Sequence, residues 1–319
     1  MLVSSSIIFL LCLQAASAEL TYLNYTQQES SILYFYRHYM AVFSSDPSGC
    51  LQNTSSGTHT ILERFDANCS DTVIGGNCTA YVLQSNPPAS PSNYVVMFRY
   101  PQDMADYAAN RYLDFFALTP VNYTYPGTSV TVTIADHYQR AYDRIWASGL
   151  GDYIEGLWNA TADERRLYVM GHAVGGVLGQ IFALHVRSRN WWPRNKIYLI
   201  SYGSNRVGYE AFAGQVYDAV YMDYIILFKT DALPQLPFTT CNPTGLANAS
   251  STADCFYHTG YTTWYNVWMT SPIPYYSSVK CSYAEQSGCI DMGTDTVGTY
   301  AYFGYNLTHY DGGLCKYQF

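Results

Sequence analysis

The sequence predicts an α/β fold whose central sheet is mainly parallel and carries helices on both faces. Short apolar, β-rich runs alternate along the chain with amphipathic helical patterns, and one of these runs enters a helix through a glycine-rich corner. Such alternation is typical of parallel sheets, because each crossover places a helix on one face of the sheet. The chain has 319 residues, 49% of them hydrophobic, which is enough to bury a large core.

The individual elements follow one another in a regular order. Strands are predicted at 93–100, 166–171, 196–203 and 223–230, and helices at 28–45, 135–158 and 174–188. The second helix contains two glycines near 149–151, and we expect an interruption there. Residues 46–91 contain three cysteines and the breaker run "NPPASP" and are predicted to be rich in loops. No internal repeat or flexible linker divides the chain, so residues 19–319 are predicted to form one domain.

The N-terminus has the pattern of a signal peptide. The short apolar run "IIFLLCL" is followed by Ala16-Ser17-Ala18, which fits a small-residue cleavage site. The run is too short to span a bilayer, and no later stretch is long and apolar enough to do so. We therefore expect residues 1–18 to be removed and the protein to be secreted.

Cysteine content and charge agree with that expectation. Eight cysteines follow residue 18, an even number, and disulfides are the default in an oxidising compartment. No C-x-x-C pair occurs, so neither a zinc site nor another metal or cofactor is expected. The net charge of −8 argues against a nucleic-acid partner. Eight N-x-S/T sequons predict a glycoprotein, at Asn24, Asn53, Asn68, Asn77, Asn122, Asn159, Asn248 and Asn306.

The glycine-rich corner is the feature that bears most directly on chemistry. It reads Gly171-His172-Ala173-Val174-Gly175. In hydrolases with a G-x-S-x-G corner, the central serine is exposed at the carboxyl edge of the sheet, and its small neighbours let the backbone turn tightly. The helix N-terminus behind the corner offers N–H groups to an oxyanion. Here the central residue is alanine.

Five segments in order resemble one family. They are "GHAVGGVLGQIFALH", "YGSNRVGYEAFA", "LFKTDALPQLP", "YHTGYTTWY" and "YAYFGYNLTHYDGGLC". Over roughly residues 90–315 the chain resembles the class 3 (fungal-type) lipases, especially their secreted nematode-like members. The resemblance implies an α/β-hydrolase fold. It also implies, at 101–116, the place where members of the family carry a lid.

The resemblance also implies which residues occupy the catalytic positions. Ala173 stands at the serine nucleophile position and Asp231 at the retained aspartate position, while Thr299 stands where the family has histidine. In the oxyanion region, the Val174 N–H remains, whereas Pro101 has neither an N–H nor a hydroxyl to donate. Asp231 is expected to persist as a turn or capping residue rather than as a catalytic one.

These substitutions leave two main function classes open. The first is a secreted, catalytically inactive lipase-like protein that binds a lipid, an acyl ligand or a protein partner. The second is an active lipase or esterase with an unrecognised nucleophile, for which Ser201 and Ser204 are the candidates. His309 could supply a base if the terminal loop were rearranged. A structural glycoprotein with a collapsed pocket is a third, weaker alternative.

The resemblance suggests one disulfide pairing among several. Class 3 lipases often tie their termini together, which implies Cys50–Cys315. The local pairs Cys69–Cys78, Cys241–Cys255 and Cys281–Cys289 are then left. Other connectivities remain possible on spacing alone.

Overall fold

An eight-stranded sheet forms the centre of the molecule. The computed structural model describes residues 35–55, 59–72, 75–85, 93–99, 118–161, 165–228, 231–237, 254–265, 278–281, 285 and 302–304. The strands of the large sheet lie in the order β1-β2-β3-β6-β7-β9-β11-β12. Their bounds are β1 His59–Asn68, β2 Asn77–Ser85, β3 Tyr94–Arg99, β6 Leu167–His172, β7 Ile197–Tyr202, β9 Met222–Phe228, β11 Tyr261–Tyr265 and β12 Ser278–Lys280.

The five inner strands of this sheet are parallel. β3, β6, β7, β9 and β11 pair in parallel with their neighbours, while β1, β2 and β12 are added antiparallel at the two edges. The carboxyl ends of the parallel strands therefore meet along one edge, which is where the corner after β6 lies. The prediction of a mainly parallel central sheet is confirmed.

Helices cover both faces of the sheet, as predicted. Residues 35–41 form α1, and the others are α2 Pro47–Ser55, α3 Asp136–Ile145, α4 Gly151–Thr161, α5 Val174–Ser188 and α6 Glu210–Ala219. On one face α5 lies so close that a Cβ built on Gly179 would be 3.3 Å from the Val169 side chain. On the other face Tyr36 of α1 packs edge-on against Tyr202, with ring centroids 4.6 Å apart.

The predicted break in the long helical segment is present. A π-helical turn at Trp146–Leu150 separates α3 from α4. Gly149 within it has a φ of 109°, a left-handed conformation that glycine adopts without the steric penalty of a side chain. The glycines therefore mark where one helix ends and the next begins.

A second, smaller sheet was not predicted. Its four strands lie in the order β10-β8-β5-β4, with bounds β4 Pro120–Thr124, β5 Thr131–Ala135, β8 Gly208–Tyr209 and β10 Phe256–Tyr257. All pairs in it are antiparallel. Two of the strands have only two residues each, which is too short to produce a recognisable periodicity in sequence.

The prediction that residues 46–91 are rich in loops missed the regular structure of this segment. Besides α2, this segment contains the antiparallel hairpin of β1 and β2, which are ten and nine residues long. β1 is an edge strand with charged side chains on its exposed positions, and this obscured its β pattern in the sequence.

A disulfide closes the turn of the hairpin. Cys69 and Cys78 are bonded, with an S–S distance of 2.02 Å and Cα atoms 5.8 Å apart, which confirms that predicted pair. Cys50, Cys255 and Cys281 are also disulfide-bonded, each to a cysteine outside the described residues. The identity of those three partners stays a prediction.

Candidate active site at the carboxyl edge of the sheet

The corner between β6 and α5 has the backbone of a strained strand-to-helix turn. Ala173 adopts a φ of 49° and a ψ of −122°, a conformation that costs a residue with a Cβ of the order of 1–3 kcal/mol. A Cβ on Gly171 would lie 2.1 Å from the carbonyl of Gly175, and one on Gly175 would lie 2.2 Å from the Phe98 carbonyl oxygen. The tight packing explains the glycines, and the surroundings hold Ala173 in its strained conformation.

The hydrogen bonds of the corner do not involve the first N–H of α5. The Ala173 N–H donates to the Tyr202 carbonyl at 2.8 Å, and the Ala173 carbonyl accepts from Gly176 at 3.0 Å and Val177 at 3.2 Å. No described residue accepts a hydrogen bond from the Val174 N–H. It is the first N–H of α5, where helix geometry provides no internal acceptor. The Val174 N–H therefore has no described acceptor, although Val174 is fully buried, and its role as an oxyanion donor stays a prediction.

The Tyr39 side chain of α1 links the corner to strand β3 through two hydrogen bonds. Its hydroxyl accepts a hydrogen bond from the His172 N–H at 2.9 Å and donates one to the Phe98 carbonyl at 2.8 Å. Burial raises the pKa of this phenol well above its usual range, so it remains a neutral donor. Sequence reasoning missed Tyr39, because nothing in a tyrosine-rich helix distinguishes the one that reaches the corner.

Asp231 lies three residues beyond the end of β9, as predicted. Its N–H donates to the Phe228 carbonyl at 2.8 Å. One carboxylate oxygen accepts the Leu233 N–H at 3.1 Å, and the other accepts the Tyr302 hydroxyl at 2.8 Å. The bond to Leu233 is the local turn contact expected of a capping aspartate.

Asp231 and the corner belong to one packed cluster. The Tyr302 ring meets the His172 ring edge-on, with centroids 5.1 Å apart. Gly203, which directly follows β7 with a φ of 56°, leaves the space that both groups need. A Cβ there would be 2.7 Å from the Tyr302 hydroxyl and 3.0 Å from an Asp231 carboxylate oxygen. The Tyr302-Phe303-Gly304 segment therefore lies at the same edge of the sheet as the corner.

A buried ion pair supports the loop that carries Asp231. The Arg206 guanidinium donates to both oxygens of Glu285 at 2.7 and 2.9 Å, to the Pro237 carbonyl at 3.0 Å, and to the Gln235 carbonyl. Burial would raise the pKa of Glu285, but Arg206 and the His258 N–H outweigh it and lower the pKa to about 2. The pair is therefore charged at neutral pH, and through Arg206 it ties residues 235–237 to Glu285.

The two rival serines lie inside the core. Ser204 is fully buried, and its hydroxyl accepts from the Gln180 amide at 2.9 Å and donates to the Asn205 carbonyl at 3.3 Å. Ser201, in β7, is also fully buried, and no described group hydrogen-bonds to its hydroxyl. Neither serine has a histidine within hydrogen-bonding distance among these partners.

Several predicted positions fall outside the described residues. They are the signal peptide at 1–18, the lid position at 101–116 with Pro101, and Thr299 and His309. Within the described ranges, no three His, Cys, Asp or Glu side chains come together in a way that could hold a metal ion. None of the helices in those ranges is long and apolar enough to cross a membrane.

Comparison with known proteins connects this architecture to a family. Residues 95–241 match the family model for lipase (class 3), a range that includes both the corner and Asp231. The chain is 22% identical over 335 aligned positions to "Lipase ZK262.3" of Caenorhabditis elegans, covering 97% of this chain and 88% of that protein. These two matches support the class 3 lipase family for this chain, through the matched segment 95–241.

Solved structures of fungal lipases share the fold. Lipase II from Rhizopus niveus superimposes with a TM-score of 0.66 at 16% identity, covering 91% of this chain and 98% of that one. The Rhizomucor miehei triacylglyceride lipase gives a TM-score of 0.62 at 19% identity, with 91% and 97% covered. At these identities the comparison shows a shared α/β-hydrolase fold and no more.

Proposed function

We propose that this class 3 lipase family member is a secreted protein without ester hydrolase activity that binds a lipid or acyl ligand. The observation that carries the proposal is Ala173 in a nucleophile-corner backbone conformation. Acyl transfer through this corner needs a hydroxyl that attacks the ester carbonyl, and an alanine methyl group has no oxygen. Ala173 thus keeps the strained backbone conformation of the corner but lacks the hydroxyl side chain that would attack an ester.

The proton-transfer partners support the same reading. A serine-based mechanism needs a histidine base held by an aspartate. We infer that Thr299 stands at the base position, and a threonine hydroxyl does not accept a proton at neutral pH. The Asp231 carboxylate accepts hydrogen bonds from Tyr302 and Leu233, which gives it a structural role at this edge of the sheet.

The oxyanion region is the third difference from an active site. The Val174 N–H is retained, but Pro101 offers neither a backbone N–H nor a hydroxyl at the position of the second donor. Removal of a triad member leaves roughly 10³–10⁴-fold catalysis over water, and loss of an oxyanion donor costs about another 10²–10³. Both losses together leave little rate.

The retained features suit binding better than turnover. A free N–H at the start of a helix favours a carbonyl or carboxylate oxygen, which is the polar group of an acyl ligand. At the corner itself Ala173 presents a methyl group at the position where the family has a serine hydroxyl. The names of the relatives, lipases and a triacylglyceride lipase, suggest lipids as the class of ligand.

Export is part of the proposal. The N-terminal pattern of an apolar run before Ala16-Ser17-Ala18 supports a cleaved signal peptide at 1–18. The Cys69–Cys78 disulfide is compatible with an oxidising compartment. We further propose that residues 19–319 act as one secreted domain.

An active hydrolase with another nucleophile has less support. Ser201 and Ser204 are fully buried, and the Ser204 hydroxyl is engaged with Gln180 and Asn205. A nucleophile needs a base within hydrogen-bond reach and room for the substrate carbonyl. Both requirements count against these two serines.

Stepwise repair of the corner tests the loss of activity. The assay is p-nitrophenyl butyrate turnover by four secreted proteins. They are the unmutated chain, the single variant Ala173→Ser, the double variant Ala173→Ser with Thr299→His, and the double variant with residues 100–101 also changed to Gly-Ser. We expect no turnover above background in the first two proteins and measurable turnover only after the loop is also repaired. Strong activity of Ala173→Ser alone would show that a base is present, with His309 the first suspect. Activity of the unmutated protein that disappears on changing Ser201 or Ser204 would overturn the proposal.

A direct titration tests ligand binding. We expect a fluorescent long-chain fatty acid to bind the unmutated protein saturably and to be displaced by unlabelled palmitate. Ala173→Leu, which fills the corner, should weaken binding at least tenfold. Ala160→Leu at an exposed position in α4 is the control and should leave binding unchanged. Equal binding by both variants would place the ligand elsewhere.

A further inference from the structure

Two N-glycosylation sequons share one disulfide in the β1–β2 hairpin. They read Asn68-Cys69-Ser70 and Asn77-Cys78-Thr79, and Cys69 is bonded to Cys78. Asn68 and Asn77 are also direct partners in the antiparallel ladder. Directly opposed residues point to the same face with Cβ atoms about 5 Å apart. Two bulky glycans attached there would compete for the same space.

The Asn68 sequon lies at the edge of the fold. Asn68 is the last residue of β1, and both it and Ser70 are exposed. The Asn68 side-chain oxygen accepts the Ser70 N–H at 3.0 Å, so the asparagine and the hydroxyl-bearing residue come together in an Asx-turn. No described residue hydrogen-bonds to the Asn68 amide nitrogen, which is the atom that a glycan would be attached to.

The backbone of this turn is anchored without involving the amide. The Arg144 guanidinium in α3 donates to the Asn68 carbonyl at 2.7 Å and pairs with the carboxylate of Asp71. The anchor fixes the turn while the Asn68 side chain stays outside. A glycan at Asn68 therefore leaves the folded hairpin undisturbed.

The Asn77 sequon differs in its threonine: Asn77 is exposed at the start of β2, but Thr79 is built into the sheet. β2 lies between β1 and β3, and Thr79 pairs with Asp66 on one side and Arg99 on the other. The Thr79 hydroxyl donates to an Asp66 carboxylate oxygen at 2.6 Å, and Thr79 is only 5% exposed. Once the hairpin has closed, this hydroxyl is inaccessible to a modifying enzyme.

We propose that Asn68 carries an N-linked glycan, that Asn77 does not, and that closure of the Cys69–Cys78 hairpin excludes Asn77. The inference rests on the export part of the proposed function. In the transfer, the Asn68 amide nitrogen bonds to the anomeric carbon of a lipid-linked pyrophosphoryl oligosaccharide. The bond between that carbon and the pyrophosphate breaks, the lipid pyrophosphate leaves, and the amide loses one proton.

The order of synthesis favours the same choice. Asn68 precedes Cys78 by ten residues, so its sequon emerges while the disulfide cannot yet form. Asn77 emerges together with Cys78, and its modification competes directly with pairing of β2. Once the hairpin has closed, glycan transfer to Asn77 is excluded.

Site occupancy measured by mass spectrometry tests the inference. The full chain is secreted from a eukaryotic host, and occupancy at each sequon is read from peptides deglycosylated enzymatically in heavy-oxygen water. We expect Asn68 to be mostly occupied and Asn77 occupied on fewer than about one molecule in ten. Ser70→Ala should remove one glycan from the intact mass, whereas Thr79→Ala should leave the glycan number unchanged. Equal occupancy of both sites, or higher occupancy at Asn77, would overturn the proposal.

A disulfide-free variant tests the exclusion step. Cys69→Ser with Cys78→Ser keeps both sequons and removes the bond. Occupancy at Asn77 should rise at least threefold, and it is measured on intracellular protein as well, in case the variant is retained. An unchanged value would refute the role of the hairpin.

The exposed sequons at Asn122 and Asn159 separate this inference from the proposed export. If neither they nor Asn68 carry glycan, export itself fails. If they carry glycan while Asn68 does not, only the assignment of Asn68 fails.

Discussion

The buried carboxyl group of Asp223 makes stability depend on pH in a direction that can be measured. Asp223 lies in β9, packed against Gly260, where a Cβ would be 2.4 Å from its carboxyl carbon. Neither oxygen accepts a well-formed hydrogen bond from the described residues. Burial raises its pKa to about 7, although the nearby Thr259 hydroxyl acts to lower it.

A raised carboxyl pKa destabilises the folded protein as pH increases. Below the ordinary pKa near 3.8 both the folded and the unfolded state are protonated and the group has no effect. Between that value and about 7 the unfolded state ionises first, so the free energy of unfolding falls. By the linkage relation, Asp223 lowers the free energy of unfolding by about 1 kcal/mol at pH 4.5 and by about 4 kcal/mol at pH 8.

Asp223→Asn should therefore stabilise the protein at pH 8 by about 1–3 kcal/mol, since part of the gain is offset by burying an amide. At pH 4.5 the gain should vanish or change sign. Urea denaturation of both proteins at the two pH values measures the difference, with the exposed Asp218→Asn in α6 as control. A variant no more stable than the parent at pH 8, or with the same difference at both pH values, would refute the reasoning.

Three further predictions concern the site and its supports. Ala173→Gly should raise the free energy of unfolding by about 1 kcal/mol, because glycine adopts the positive φ without strain. Ala183→Gly inside α5 is the control and should lower the free energy of unfolding by at least about as much. A lower stability of both variants in urea denaturation would contradict this prediction. Glu285→Gln should cost about 3–5 kcal/mol at pH 7 by leaving a buried guanidinium unpaired. Because the pKa of Glu285 is lowered to about 2, its contribution is lost as pH falls from about 4.5 towards 2, so parent and variant should converge there in thermal melts. Tyr39→Phe should lower the free energy of unfolding by about 1–3 kcal/mol for each of the two backbone groups that it leaves unpaired. The control Tyr125→Phe removes a hydroxyl that has no described partner and should leave stability unchanged or increase it. Equal effects of the two variants on Tm would contradict a role for the Tyr39 hydroxyl in holding the corner.

The parallel part of the fold was predictable because its signals are local. The apolar runs predicted β3, β6, β7 and β9 to within about two residues, and the predicted helix at 174–188 has the bounds of α5. The glycines at 149–151 predicted the break between α3 and α4. These elements are buried or amphipathic over their whole length, so periodicity alone identifies them.

The missed elements depend on partners distant in the chain. β1 exposes charged residues at the sheet edge, and its strand conformation is set by pairing with β2. Tyr39 reaches the corner from 133 residues away in sequence. Tyr302 meets Asp231 across 71 residues, a contact that no local pattern reveals. The corner itself was recognisable because its glycines and its strand-to-helix change are consecutive.

Covalent labelling with a serine-directed fluorophosphonate tests most directly whether the corner has lost its nucleophile. The unmutated secreted protein is incubated with excess reagent and its intact mass is measured, with a fungal class 3 lipase as the reactive control. We expect no adduct on this protein under conditions that label the control completely. A single stoichiometric adduct, mapped by peptide analysis to Ser201, Ser204 or any other serine, would contradict it.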